Sequence, residues 1–134
     1  MPVSARERDY FSALEGGWPS ASEGQLSVDV IETDRDLIVR TAVAGVRAED
    51  LDVSVTDDTV TIRGDRRTAG EAWERQGTVH VQECHWGAFS RSVVLPSHIR
   101  PDGADAVLKD GILVITLPKS QRSSRLTIID DSEL

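Results

Sequence analysis

Cysteine occurs once in the 134 residues, as Cys84, so no intrachain disulfide can form. Rings are scarce: two Phe, one Tyr and three Trp. A core with so few rings must be built from Val, Ile and Leu, which favours strands over helices. Lys and Arg number 15 against 23 Asp and Glu, a formal net charge of -8. That balance leaves no basic stripe to face phosphates and argues against a nucleic-acid partner or an anionic membrane surface. No stretch approaches the ~20 apolar residues of a membrane span. The opening Met1-Pro2-Val3-Ser4-Ala5-Arg6-Glu7-Arg8 has no apolar run of the secretory kind, so the cytoplasm is the expected compartment. No Gly-rich phosphate loop is present, which speaks against ATP use and leaves no cofactor to expect.

What is present changes character near residue 26. In residues 1–25 the spacing of Tyr10, Phe11 and Leu14 predicts a short helix over residues 4–14, broken by Gly16-Gly17-Trp18-Pro19. Such an arm cannot bury its own rings. From Leu26 the apolar period becomes two: Leu26, Val28 and Val30 form one strand, and residues 37–43 return after the turn Asp34-Arg35-Asp36. Leu51, Val53 and Val55 alternate in the next strand, followed by the turn Thr56-Asp57-Asp58 and a strand from Thr59, with Val60 and Ile62 pointing inward. Residues 66–81, with Gly70, Trp73 and Gly77, form a long interruption of the kind that is commonly functional. Strands then follow over 88–95 and 104–109. Asp110-Gly111 makes a hairpin turn, because both positions accept positive φ, and Ile112 to Leu117 closes the body before Pro118. Short strands and short turns with no long helix between them predict an all-β, immunoglobulin-like sandwich of seven to eight antiparallel strands. The expected divisions are an arm over 1–25, the sandwich over 26–118 and an extension over 119–134, where Leu126-Thr127-Ile128 is an apolar island in a polar segment.

Gly87-Ala88-Phe89-Ser90-Arg91-Ser92-Val93-Val94-Leu95-Pro96 resembles the small heat-shock protein signature G-x-F-x-R-x-x-x-L-P, and Ala106 to Leu113 resembles that family's A-x-x-x-N/D-G-V/I-L signature. Val43-Ala44-Gly45-Val46 with Asp50-Leu51 is similar to its P-G-hydrophobic segment, with Ala44 in the place of proline. Leu126-Thr127-Ile128 is similar to the C-terminal I-x-I/V motif. The likeness covers about Leu26 to Ile128. It implies an alpha-crystallin domain acting as an ATP-independent holdase for partly unfolded client proteins, with self-association as a dimer and larger homo-oligomers open.

On that resemblance, Leu126 and Ile128 would lie in a groove formed by Leu51, Val53 and Val55 on one strand and Ala106 and Leu108 on another. It further implies that a strand from the 66–81 loop crosses to the partner's first body strand, with Trp73 as anchor and Arg91 at the dimer interface. Tyr10, Phe11, Leu14 and Trp18 are the candidate client contacts, being apolar groups on an arm with no core of its own. Two other classes stand beside the holdase: an adaptor for one folded partner on the same sandwich, and an enzyme using Cys84. His80, Cys84 and His85 show neither a triad nor a metal-ligand spacing, so no catalytic or metal residue is assigned.

Overall fold

The computed structural model describes residues 24–121 and 125–133. Its strands are β1 (Gly24–Gln25), β2 (Asp29–Glu32), β3 (Asp36–Ala42), β4 (Leu51–Val55), β5 (Thr59–Arg66), β6 (Gly87–Val94), β7 (Asp105–Lys109) and β8 (Ile112–Pro118). One helix, α1 (Ala72–Gln76), lies between β5 and β6, and 3-10 turns occupy Ala48–Asp50, Pro101–Gly103 and Asp131–Glu133. Two four-stranded sheets face each other, in the orders β1-β6-β5-β4 and β2-β3-β8-β7. The all-β sandwich is therefore an eight-stranded one, antiparallel except where β1 runs parallel to β6.

The core follows from alternation. Leu37, Val39 and Thr41 of β3 stand directly opposite Leu117, Ile115 and Leu113 of β8, and all six are buried. Such directly opposed pairs are the unit from which a sheet face gains stability. Val60, Ile62 and Phe89 close over them from the other sheet, with Val43, Val46, Leu95 and Ile99 filling in from the connections. Between β7 and β8, Asp110 and Gly111 both take positive φ, at 52° and 79°. This is the two-residue turn that Asp-Gly favours, because its twist matches that of the strands.

Gly64 sits opposite Phe89 across β5 and β6. A Cβ there would overlap the Phe89 ring and lie 2.9 Å from Leu51 Cδ2. Phe89 is almost wholly buried, so its ring has little room to withdraw. A Gly64→Ala chain should lose about 2 kcal/mol of stability through overpacking, read as a lowered unfolding midpoint with unchanged strand content.

Alternation alone misplaces one element. The single strand expected from Leu26 to Ile31 is two short ones on different sheets. Leu26 buries its side chain in the core, its N–H donates to Ser90 O at 3.3 Å, and its carbonyl accepts from Arg91 NH1 at 3.2 Å. The next residue already belongs to the other side, since Ser27 O accepts the buried Thr41 hydroxyl at 2.7 Å. The segment crosses the sandwich edge, and a period of two carries no information about which sheet receives the hydrogen bonds. The expected arm helix over residues 4–14 lies outside the described residues.

Candidate functional site: two open edges and an exposed tail

The crossover from β1 to β2 ties the two sheets on one side. The opposite edges are β4 in one sheet and β7 in the other. Leu51, Val53 and Val55 project from β4 toward the core and are only half-buried, as is Leu108 of β7. Ala106 is opposite the buried Ile115, on the same inner face as Leu108, yet it is exposed. An inner-face residue that water can reach marks a slot that the domain's own core does not fill. The five residues expected to form a groove thus lie on two edge strands on one side of the sandwich. Among the described residues neither strand has a neighbour on its outer edge, the arrangement that leaves a row of backbone donors and acceptors for pairing.

The C-terminal segment leaves the body at Lys119 and Ser120, whose N–H groups donate to Arg35 O and His98 O, each at 2.9 Å. A cleft of about 600 Å³ beside this point is lined by Arg35, Asp36, Arg100, Pro118, Lys119 and Gln121. Its charges are mixed, and it lies apart from the slot. Beyond, Leu126 is 86% exposed and Ile128 90% exposed. Two aliphatic side chains two residues apart are left in water, uncovered by any of the described residues. After them, Asp130 accepts from the Ser132 hydroxyl at 2.6 Å and from its N–H at 3.0 Å. Chiefly the hydroxyl bond, helped by the backbone one, holds the Asp130 carboxyl below its ordinary range.

The second open edge is β2. Its inner side is secured to β3 and fastened by the Arg40–Asp29 ion pair at 2.7 Å and by Lys119–Glu32 at 2.8 Å. Among the described residues its other side has no neighbour in the sheet, and Val30 and Ile31 remain partly exposed. The connection from β5 to β6 offers a matching element. Val79 and Val81 alternate there with polar residues and are 65% and 76% exposed, unpaired with any strand. The expected crossing strand was tied to Trp73, and these two valines were not named. The signal was the alternation Thr78-Val79-His80-Val81-Gln82.

The loop itself differs from expectation. Around Trp73 it forms α1, fixed by reciprocal hydrogen bonds between Glu71 and Glu74, and Trp73 lies exposed on that helix rather than on a strand. Arg91 faces inward from β6, opposite Ile62, and its bond to Leu26 O gives it a partner within the chain. Cys84 is an exposed free thiol. The neighbouring His85 turns away from it to Gly24 N–H and Ala88 O. Among the described residues, no group of three or more His, Cys, Asp or Glu is placed to hold a metal ion. Tyr10, Phe11, Leu14 and Trp18 lie outside the described residues.

Residues 23–130 match the sequence model of the Hsp20/alpha crystallin family. The chain belongs to that family. Among relatives, small heat shock protein C2 of Rickettsia felis is 32% identical over 94 residues, covering 70% of this chain and 60% of its own length. The 17.8 kDa class I heat shock protein of Arabidopsis thaliana is 31% identical over 131 residues, covering 92% of this chain and 81% of its own. In three dimensions, heat shock protein 16.0 from Schizosaccharomyces pombe superposes with a TM-score of 0.71 at 27% identity, over 97% of this chain and 94% of that one. The chain spans about 60% of the Rickettsia protein's length. The family match extends over both signatures, residues 87–96 and 106–113. Its two signatures fall where the fold needs them: the first forms β6 and its exit at Pro96, and the second forms the β7–β8 hairpin. Among the described residues, no helix is long and apolar enough to cross a membrane.

Proposed function

We propose that the protein is an ATP-independent holdase, which binds partly unfolded cytoplasmic proteins and keeps them from aggregating, and which stores its sticky surfaces in a homo-oligomer. The observation that carries this reading is the pairing of a half-buried β4–β7 margin with an exposed Leu126-Thr127-Ile128 segment that the described residues leave unburied. Burying two aliphatic side chains yields about 3–6 kcal/mol before the cost of ordering the tether. The net contact is weak enough to open on warming and strong enough, when repeated over several subunits, to hold an assembly.

The building block in this reading is a dimer. The Thr78–Gln82 stretch of one subunit adds to the free edge of β2 in the other, which gives Val79 and Val81 the apolar cover they lack. The aromatic arm residues Tyr10, Phe11, Leu14 and Trp18 are the client contacts, because apolar groups on an arm can meet many exposed surfaces without a fixed shape.

Light scattering of a heat-labile client protein tests the reading. Near-equimolar chain, without nucleotide, should suppress most of the scattering, and adding ATP should not change the result. Absence of suppression with several unrelated clients, together with tight binding to one folded protein, would instead establish an adaptor.

A further inference from the structure

We propose that the charges flanking the apolar island fix the direction in which it enters the β4–β7 margin of a second copy of the chain. It runs parallel to β7 and antiparallel to β4, with Arg125 at the end marked by Val55 and Asp105. The inference rests on the slot-and-tail reading above and adds a polarity to it.

The margin has two unlike ends. At one, β4 runs out into Thr56-Asp57-Asp58 and β7 starts at Asp105. Ile99 N–H donates to Asp57 O at 2.8 Å, and Asp57 and Asp102 line one cleft there. Asp58 accepts from the Thr59 hydroxyl at 3.0 Å. Among the described residues no ion pair joins Asp57, Asp58, Asp102 or Asp105 to a cation. Arg100 and His98 line the same cleft, so a single guanidinium stands against these carboxylates.

At the other end Leu51 follows the turn Ala48–Asp50, and Lys109 leads into Asp110-Gly111, where Gly111 O accepts from Val43 N–H at 2.7 Å. Arg47 is paired there with Glu49 at 3.6 Å and Arg67 with Asp50 at 3.1 Å. Lys109 is exposed, and no ion pair engages it among the described residues. Acid and base are nearly balanced at this end.

The tail is just as unlike at its two ends. Arg125 stands immediately before Leu126, and Asp130 and Asp131 follow Ile128, all of them exposed. In an extended segment Arg125 and Asp130 lie about 17 Å apart, against about 14 Å for the length of β4, so one end charge reaches each end of the margin. In the proposed direction Arg125 meets the Asp57, Asp102 and Asp105 carboxylates, and Asp130 and Asp131 come to Lys109. In the reverse direction Asp130 and Asp131 face those carboxylates, and Arg125 lies among pairs already neutralised. Leu126 and Ile128 are both aliphatic and share one side of the segment, so the apolar contact reads either direction alike. Repulsion in the wrong arrangement then discriminates as well as attraction in the right one.

Disulfide trapping in the full chain, with Cys84→Ser removing the native thiol, tests the direction without changing a charge. One variant carries Ile129→Cys with Ala48→Cys, at the Lys109 end, and the other Ile129→Cys with Thr56→Cys, at the Asp105 end; all three positions are exposed. Under mild oxidation the Ala48 pair should form about tenfold faster than the Thr56 pair, the sum of several exposed charge contacts. The preference should shrink near about 1 M salt, where screening acts over about 3 Å. Exchanging the tail charges, by Arg125→Asp with Asp130→Arg and Asp131→Arg, should invert it. Equal rates, or faster trapping at Thr56 in the parent tail, overturn the proposed direction and leave the slot reading standing. A preference that survives the charge exchange also overturns the proposal, because its origin is then not electrostatic. Absence of trapping in both variants while larger assemblies persist overturns the slot reading itself, and the direction with it.

Discussion

Replacing Leu117 with alanine is expected to lower the free energy of unfolding by about 3 kcal/mol, within the 2–5 kcal/mol that buried Leu→Ala changes cost. Leu117 has no exposure, stands directly opposite the equally buried Leu37, and belongs to β8, an inner strand of its sheet. Neighbours on both sides hold the backbone in place, so little collapse can fill the void. For a domain of this size, with a total stability of about 5–15 kcal/mol, such a loss leaves a chain that unfolds well below its parent. Urea titration at fixed chain concentration should show the midpoint falling at constant slope. The same exchange at Val114, on the outer face of the same strand, should cost less than about 1 kcal/mol. If the two substitutions cost the same, the inner and outer faces of β8 have been assigned wrongly.

Introducing aspartate at both Leu126 and Ile128 should reduce the assembly to dimers while leaving the fold intact. Both side chains stand in water in the single chain, so the substitution removes nothing from the domain core. What it removes is the apolar pair that would enter a neighbour's β4–β7 slot, and it puts two carboxylates where desolvation is costly. Native mass measurement should show the larger species gone, and circular dichroism should be unchanged. Val53→Asp, on the slot side, should give the same dimer by the reciprocal route. An unchanged mass in both variants would mean that the slot and the tail are not partners, and with them would go the proposed storage of client-binding surface.

Most of the sandwich was legible because its two-residue period is interrupted by turns with specific chemistry. Asp110-Gly111 can hardly be anything but a tight hairpin, and the inward placement of Val60 and Ile62 follows once Thr59 starts a strand. Less legible was whatever depends on which sheet, or which chain, supplies the partner. The Leu26 segment has an apolar rhythm that fits one strand, but hydrogen bonds to Ser90 and Arg91 hold it to one sheet before Ser27 reaches the other. Trp73 drew notice as a large ring in a long loop, although Val79 and Val81, smaller and correctly spaced, are the residues that look like a strand without a partner. A groove of Leu51, Val53, Val55, Ala106 and Leu108 was legible as an expectation only. Their incomplete burial was not, because exposure at a sheet edge is set by what stops short of covering it.

The crossover at Leu26 and Ser27 has a mechanical consequence. The two sheets are stitched along one margin by the Thr41 hydroxyl and by the chain itself, while toward the far margin residues 43–50 carry the chain from β3 to β4. A sandwich fastened like the spine of a book is expected to loosen first at its fore-edge, where β4 and β7 are edge strands.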